Sequence, residues 1–254
     1  VPHTGSTAIA TADAHAARSR SVAYIASNYA SGDQLQALHQ EAIAAARRAI
    51  VLGPDLADAH STLGYTLFKT ELDVRGARAP LDRSRVLGAG EATVQGRFAI
   101  YAAAVGRIAE AKAAIERARE LDPLNPLVHS AEGYVRYAAR DYASVAAPIM
   151  KALELNPKMG GTYCFIGNAS LMLGQIADAA KAFAQEPNDM FRLPGIAIVE
   201  WKRGNKRLAQ EAMDKLSAIF GNGALYQQGQ VLAQWGDKRA SLAALEKAWE
   251  ARDS

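Results

Sequence analysis

Three prolines close hydrophobic segments of one common form and stand at related distances along the chain. Residues 49–54, 118–123 and 152–157 each begin with alanine, carry leucine at their fourth position and end in proline after a small or polar residue. Pro123 and Pro157 are 34 residues apart, and Pro54 lies 69 residues before Pro123, which is two such periods plus one residue. A period of 34 residues holds two helices and their turns, so the chain is predicted to fold as a series of helix pairs.

Other residue types recur at fixed positions when the chain is aligned on these prolines. The fifteenth position, where one helix must stop and turn into the next, falls at Gly106, Arg140, Gly174, Gly204 and Gly236. The eighth position is small, at Gly64, Ala99, Gly133, Gly167, Ala197 and Gly229. The twenty-fourth position is bulky, at Leu81, Ile115, Ile149, Phe183, Met213 and Leu245. Small residues let paired helices approach closely, and we expect the bulky residue to fill the gap between repeats.

The composition agrees with a helical fold. Alanine supplies 54 of the 254 residues, whereas only 7% are aromatic. Alanine is the strongest helix former, and it is accompanied here by abundant Leu, Arg, Glu and Lys, which follow it in helix propensity. Many of the alanines fall at the positions where helices of a pair touch. The composition therefore predicts an all-α protein with closely packed helices.

From about Asp33 to Ser254 the chain resembles the tetratricopeptide repeat (TPR) family, most completely over residues 92–123 and 128–157. The resemblance implies an α-solenoid of about fourteen helices in pairs, wound as a right-handed superhelix. We expect one domain over residues 1–254. It would comprise an N-terminal helix pair with a frayed start (1–56), central repeats (57–221) and a C-terminal repeat (222–254).

Some segments depart from the regular pattern. Residues 9–30 and 34–52 are predicted to form the N-terminal helices. Pro80 and Pro148 fall at the twenty-third position, inside the second helix of their repeats, and an interior proline removes a backbone hydrogen bond. We therefore expect bent helices there, and an early end to the helix that precedes Glu186 and Pro187.

Charge and hydropathy exclude several classes of function. The net charge is +3, and acidic residues are interspersed among the basic ones, so no nucleic acid is expected to bind this segment. No run of about 18 apolar residues is present, which argues against a membrane-spanning segment. The chain begins at Val1 without a signal-peptide pattern, and we expect a soluble cytoplasmic or periplasmic portion of a longer protein.

No constellation of catalytic residues is recognisable in the sequence. Cys164 is the single cysteine and lies in an apolar run, and the five histidines all precede it. None of the histidines pairs with a second ligand at the spacing of one helical turn, and His60 and His129 share the fourth position of their repeats, which is a packing position. We therefore expect no enzymatic activity, no metal site and no cofactor.

The resemblance to TPR proteins implies a binding groove. In that family the first helix of each pair lines the concave surface, chiefly through positions two, five, nine, twelve and thirteen. These positions predict a peptide-binding groove lined by Tyr65, Phe68, Tyr134, Tyr137, Asn168, Leu171, Trp201, Tyr226 and Gln230. Tyrosine and tryptophan offer large contact areas with little conformational entropy to lose. For each aromatic residue the alternative is packing between neighbouring helices.

A second resemblance concerns biological context. Residues 229–253 and 52–65 are similar to the C-terminal TPR modules of bacterial adenylate-cyclase-like and winged-helix transcriptional regulators. This similarity implies a non-catalytic scaffold that binds a protein or peptide as the sensory or interaction arm of a signalling protein. The alternative is a self-association module, in which exposed apolar residues such as Trp249 and Tyr226 join two copies into a homodimer.

Overall fold

The structure is a computed structural model that describes residues 11–13, 15–19 and 33–251, and the regular structure in these ranges is helical throughout. The predicted all-α fold is therefore confirmed for the described part of the chain. Residues 11–13 and 15–19 are helical, in agreement with the first predicted helix. The rest of that helix and the predicted frayed start lie outside the described residues.

Helix packing divides the chain into two compact units, Val1–Pro123 and Leu124–Ser254. The first unit contains α1 (Asp33–Leu52), α2 (Ala57–Thr70), α3 (Arg78–Leu87), α4 (Ala92–Ala104) and α5 (Ile108–Leu121). The second contains α6 (Pro126–Ala138), α7 (Ala146–Leu155), α8 (Tyr163–Met172), α9 (Ile176–Gln185), α10 (Asp189–Lys202), α11 (Lys206–Phe220), α12 (Leu225–Trp235) and α13 (Lys238–Ala251). Two short 3₁₀ turns, Tyr142–Ser144 and Gly221–Ala224, precede α7 and α12.

The helices pack in consecutive pairs. In the first unit α2 packs on α3 and α4 on α5; in the second the pairs are α6 with α7, α8 with α9, α10 with α11 and α12 with α13. The first helices of successive pairs also contact each other, α2 with α4 in the first unit and α6, α8, α10 and α12 in sequence in the second. Two helices per repeat is the arrangement that the 34-residue period predicts, and first helices side by side are what the TPR resemblance implies.

The fifteenth position of the repeat ends the first helix in the same way in five repeats. Gly106, Gly174, Gly204 and Gly236 have φ between +74° and +89°, and Arg140 has φ +61°. In each case the next residue donates its backbone N–H to the carbonyl five residues earlier, at 2.8 to 3.0 Å, which is the Schellman closure of a helix. Because a side chain makes this conformation unfavourable by about 1 kcal/mol, glycine is the usual residue here and Arg140 is the strained exception.

The small eighth position lies directly under the bulky twenty-fourth position of the same repeat. A Cβ atom added to Gly167 would stand 2.6 Å from the ring of Phe183, and one added to Gly229 would stand 2.8 Å from Leu245. The bulky residue therefore fills the space within a helix pair rather than only the gap between repeats. Phe183 does both, because its ring also contacts Gly195 of the following first helix.

The bends predicted at Pro80 and Pro148 are wrong. Helix α3 begins at Arg78 and α7 at Ala146, so both prolines occupy the first turn of their helices. The N–H groups of a first turn have no partner within the helix, and proline therefore removes no hydrogen bond there. The proline inside a helix is Pro194 of α10, which the sequence reasoning missed. Helix α9 ends at Gln185, before Glu186 and Pro187, as predicted.

Candidate functional site

The nine residues of the predicted groove all lie on first helices of pairs. Tyr65 and Phe68 lie on α2 of the first unit, and the other seven lie on α6, α8, α10 and α12 of the second unit. Tyr226 and Gln230 are exposed, whereas the remaining seven are half-buried. The structure therefore places these residues on two surfaces, which we describe separately.

In the first unit an aromatic group forms between α2 and α4. The ring of Phe68 lies 6.5 Å from that of Tyr65 and 5.5 Å edge-on from that of Tyr101. The guanidinium of Arg97 lies over the Tyr65 ring at 5.5 Å. Burial raises the pKa of Tyr65, and the charge of Arg97 acts in the opposite direction. Sequence reasoning missed Arg97 and Tyr101 because they stand at the sixth and tenth positions, outside the positions taken to line the groove.

In the second unit Tyr134 and Tyr137 of α6 pack against Phe165 of α8. The ring centroids of Tyr134 and Phe165 are 5.9 Å apart in an edge-to-face arrangement, and those of Tyr137 and Phe165 are 6.5 Å apart. Tyr137 also meets Tyr142 at 5.4 Å. Edge-to-face contacts of this kind stabilise the packing of adjacent helices by about 1 kcal/mol each. Both tyrosines are thus held in place by neighbouring aromatic rings.

Tyr137 of α6 and Tyr226 of α12 come close enough to interact electrostatically. Burial raises the pKa of Tyr137, and the phenols of Tyr142 and Tyr226 raise it further. Because α6, α8, α10 and α12 lie side by side in that order, Tyr137 and Tyr226 belong to the two ends of the row. Both side chains thus belong to the row of first helices that is predicted to line the groove.

Both faces of the Trp201 ring, on α10, are in contact with neighbouring side chains. Its ring stacks on that of Trp235 of α12 at 4.6 Å between centroids, with the planes 13° apart. The ammonium of Lys206 lies 2.9 Å from the centroid of the Trp201 ring. Because the two stacked rings leave no room for it between them, this ammonium lies on the face of Trp201 opposite to Trp235. Trp235 in turn donates its indole N–H to the carbonyl of Ala197 at 3.2 Å. Trp201 therefore joins α10 to α12.

The positions predicted to line the groove carry almost no charge in the second unit. Among positions two, five, nine, twelve and thirteen of its four repeats, Lys202 is the only Lys, Arg, Asp or Glu. The others include the half-buried amide of Asn168, the half-buried Leu171 and the 53% exposed Met172 on α8. Apolar, aromatic and amide groups thus dominate, which suits contact with an uncharged chain segment better than with an ionic ligand.

Cys164 lies in a setting that keeps its thiol neutral. The thiol is buried and donates to the carbonyl of Gly161 at 3.0 Å. Burial raises the pKa of Cys164 from 9.0 to about 12, and the charge of Glu186 adds to this effect. Since the thiolate is the nucleophile, a thiol with this pKa is unsuited to catalysis near neutral pH.

Glu186 organises the loop between α7 and α8, a role that the sequence did not reveal. Its side chain is fully buried, and one carboxylate oxygen accepts hydrogen bonds from the backbone N–H of Gly161 at 2.8 Å and of Asn188 at 3.0 Å. This oxygen joins the segment before α8 to the start of α10. The carboxylate therefore acts as a structural acceptor for two backbone donors.

Among residues 11–13, 15–19 and 33–251, no three His, Cys, Asp or Glu side chains are grouped so that they could hold a metal ion. Within the same ranges no helix is both long enough and apolar enough to cross a bilayer.

Comparisons with known proteins identify the fold of the chain. No protein-family model matches the chain, and no curated protein matches it. Among solved structures, PilF of Pseudomonas aeruginosa matches with 17% identity and a TM-score of 0.57, over 87% of this chain and 99% of that one. PilW, described as a widely conserved type IV pilus biogenesis factor, matches with 17% identity and a TM-score of 0.63, over 84% and 98% of the two chains.

A tetratricopeptide repeat protein from Parabacteroides merdae matches with 13% identity and a TM-score of 0.61, over 94% of each chain. Identities this low establish the fold alone. The chain accordingly has a TPR-type helical repeat fold, as its period and its recurring small and bulky positions predicted.

Proposed function

We propose that the chain is a non-catalytic scaffold that binds a segment of another protein on the inner surface of the Leu124–Ser254 unit. The observation that carries this proposal is the row of first helices α6, α8, α10 and α12, which bears the half-buried Tyr137 and the exposed Tyr226 and Gln230. These side chains come from the two ends of a row of four first helices, and the surface between them is the one that we propose to bind the segment. A curved row of helices is the form in which repeat proteins present an extended binding surface.

The chemistry of this surface indicates the kind of segment that would bind. Its predicted lining combines aromatic rings with the amides of Asn168 and Gln230, and Lys202 is the only Lys, Arg, Asp or Glu at its lining positions. Amide side chains can both donate to and accept from the backbone of an extended peptide. We therefore expect a segment that is low in charge and contributes at least one apolar side chain. Tyr65 and Phe68 would form a separate surface of the first unit, beside Arg97.

Selection from a displayed random peptide library, followed by titration of the enriched peptides, tests this proposal. Replacing both Tyr226 and Gln230 with alanine should weaken binding of the enriched peptides by about tenfold or more, because both side chains are exposed on the surface proposed to bind the peptide. Gln210→Ala with Asp214→Ala, an equally exposed pair on α11, is the matched control and should leave binding unchanged. Equal binding by both double variants, or the absence of any enriched peptide, would contradict the proposal.

For the wider context we propose the sensory or interaction arm of a bacterial signalling or regulatory protein. The support is the similarity of residues 229–253 and 52–65 to the C-terminal TPR modules of adenylate-cyclase-like and winged-helix regulators. Sequencing the complete gene that encodes this chain tests the proposal. A cyclase-like or winged-helix domain encoded before Val1 would support it, and a gene encoding these residues without any output domain would overturn it.

Self-association is a second candidate function, and one observation favours it. Trp249 on the last described helix has 66% of its surface exposed. Leu242 on the same helix is 61% exposed, and adjoining exposed apolar side chains mark surfaces that bind other proteins when they form a contiguous patch.

A further inference from the structure

Phe191, in the first turn of α10, has an aromatic ring that packs on a neighbouring segment and is still accessible. A Cβ atom added to Gly161 would lie 3.0 Å from Cε2 of this ring and 3.6 Å from its Cζ, so the ring rests on the backbone just before α8. Yet 36% of the Phe191 surface is exposed. Gly161 and Phe191 both hold the second position of their repeats, one of the positions that the TPR resemblance assigns to the concave surface. The accessible part of the ring therefore lies beside the starts of two neighbouring first helices.

Two buried side chains hold the backbone of Gly161 against this ring. Oε1 of the fully buried Glu186 accepts the N–H of Gly161 at 2.8 Å, and the thiol of Cys164 donates to the carbonyl of Gly161 at 3.0 Å. Gly161 has φ +72°, which glycine adopts more readily than any other residue. The same Glu186 oxygen accepts the N–H of Asn188 at 3.0 Å, the residue whose side chain caps α10. One carboxylate thus fixes both the surface under the Phe191 ring and the start of the helix that carries the ring.

The charged residues that flank Phe191 in α10 neutralise each other. Asp189 and Arg192, on either side of it in the chain, form an ion pair with each other. An apolar side chain can therefore be buried against the ring without leaving either of these charges unpaired, which would be costly. The environment of Phe191 thus agrees with the low charge of the lining positions as a whole.

We infer that Phe191 is a contact residue of the peptide-binding surface and that its exposed ring takes an apolar side chain of the bound segment. This inference rests on the proposed function and adds to it the place where that side chain binds. Gly161 and Glu186 are positioning residues: Gly161 supports the ring, and Glu186 acts through Gly161. A ring that is already held in place before binding loses little conformational freedom when a ligand covers it, and this favours affinity.

Titration of the library-selected peptides into Phe191→Ala tests the contact. Binding should weaken by about tenfold, because an aromatic side chain that contacts the ligand is lost. Leu208→Ala removes a 41% exposed apolar side chain from α11, the second helix of its pair, and should bind like the wild type. Unchanged binding by Phe191→Ala, combined with weakened binding by the Tyr226 and Gln230 double variant, overturns this inference and leaves the proposed function standing. A library that yields no enriched peptide overturns both.

Two adjacent glycines test the positioning of the ring. Gly161→Ala places a methyl group against the Phe191 ring and should weaken peptide binding by about threefold or more, since residues in contact are energetically coupled. Gly160→Ala is the matched control, because its Cβ atom would meet its nearest neighbour at an ordinary 3.6 Å, and it should bind like the wild type.

A double-mutant cycle separates positioning of the ring from a general loss of stability. In a Phe191→Ala background, Gly161→Ala should cause no further loss of peptide binding, because the ring that it displaces is already absent. The titrations are made below the thermal unfolding midpoint of every variant. A loss caused by Gly161→Ala that is equal with and without Phe191 overturns the positioning role.

Discussion

The indole rings of Trp201 and Trp235 stack at 4.6 Å between centroids and join the first helices of two successive repeats. Lys206 covers the other face of Trp201, so the ring packs between helices in the described structure. This contact between helices agrees with the second interpretation open for Trp201 from sequence, and its place in the groove stays a prediction. The surface proposed to bind a peptide is therefore built around Tyr137 and Tyr226, with Trp201 as part of its support.

Replacing Trp235 with alanine should lower the free energy of unfolding by about 3 kcal/mol, since it removes both the stacked ring and a large apolar volume. It also removes the N–H donor to the carbonyl of Ala197. Urea unfolding followed by circular dichroism measures the change. Trp249→Ala, which removes an exposed indole, is the control at low protein concentration and should change stability by less than about 0.5 kcal/mol. Similar losses in the two variants would show that the stack contributes little.

Gly195→Ala should destabilise the second unit by about 2 kcal/mol, because the added methyl would overlap the fully buried ring of Phe183. Gly96→Ala is the same change at a helical glycine with open space around the new methyl, and should stabilise the protein by roughly 0.5 to 1 kcal/mol. Thermal unfolding of the Gly195→Ala and Gly96→Ala variants measures both changes in stability. Adding Phe183→Leu to Gly195→Ala should recover part of the loss, and an additive loss instead would argue against the steric explanation.

The buried thiol of Cys164 should resist modification at pH 8 in the folded protein and react readily in urea. Because burial raises its pKa from 9.0 to about 12, its contribution to stability is fully present below about pH 9 and is lost as the pH rises toward 12. The free energy of unfolding of Cys164→Ala should accordingly fall less steeply than that of the wild type over this range. Thiol titration and urea unfolding at a series of pH values provide the measurements. Rapid modification of the folded wild type would contradict the prediction.

Arg107 should stabilise the first unit through hydrogen bonds to two carboxylates and through contact with an aromatic ring. It donates to Asp82 at 2.7 Å and to both oxygens of Glu110 at 2.7 Å, and it lies 5.3 Å from the centroid of the buried Phe98 ring. Arg107→Met keeps the apolar stem and should lower the free energy of unfolding by about 1 kcal/mol at neutral pH.

The effect of Arg107→Met should also depend on pH. The hydrogen bond from Arg107 lowers the pKa of Glu110, so this contribution is present above the unfolded pKa of about 4.3 and is lost as the pH falls through the lower folded value. The difference between Arg107→Met and the wild type should therefore shrink in acid. A difference in unfolding free energy that is the same at pH 7 and at pH 3 would contradict this account. The control is Arg117→Met, which removes an arginine from the exposed ion pair with Glu120.

The repeat architecture could be predicted from sequence because its determinants are local. The left-handed turns at Gly106 and Gly236, and the contact of Gly167 with Phe183, depend on residue types at fixed spacing. The candidate site was predictable only in part. Phe165 and Glu186 occupy positions that no spacing rule singled out, and their roles depend on which helices lie next to each other.

The sequence alone determined that this chain folds as pairs of helices, because alanine and the turn glycines act within one or two turns of helix and the 34-residue period repeats them at every second helix. Only the tertiary structure decided which aromatic residues support the fold and which remain accessible. Trp201, Tyr226 and Trp249 all occur in helices of similar pattern, yet the first is stacked on Trp235 whereas the other two are exposed. Exposure depends on side chains that come together from distant parts of the chain, and helical periodicity carries no information about those contacts.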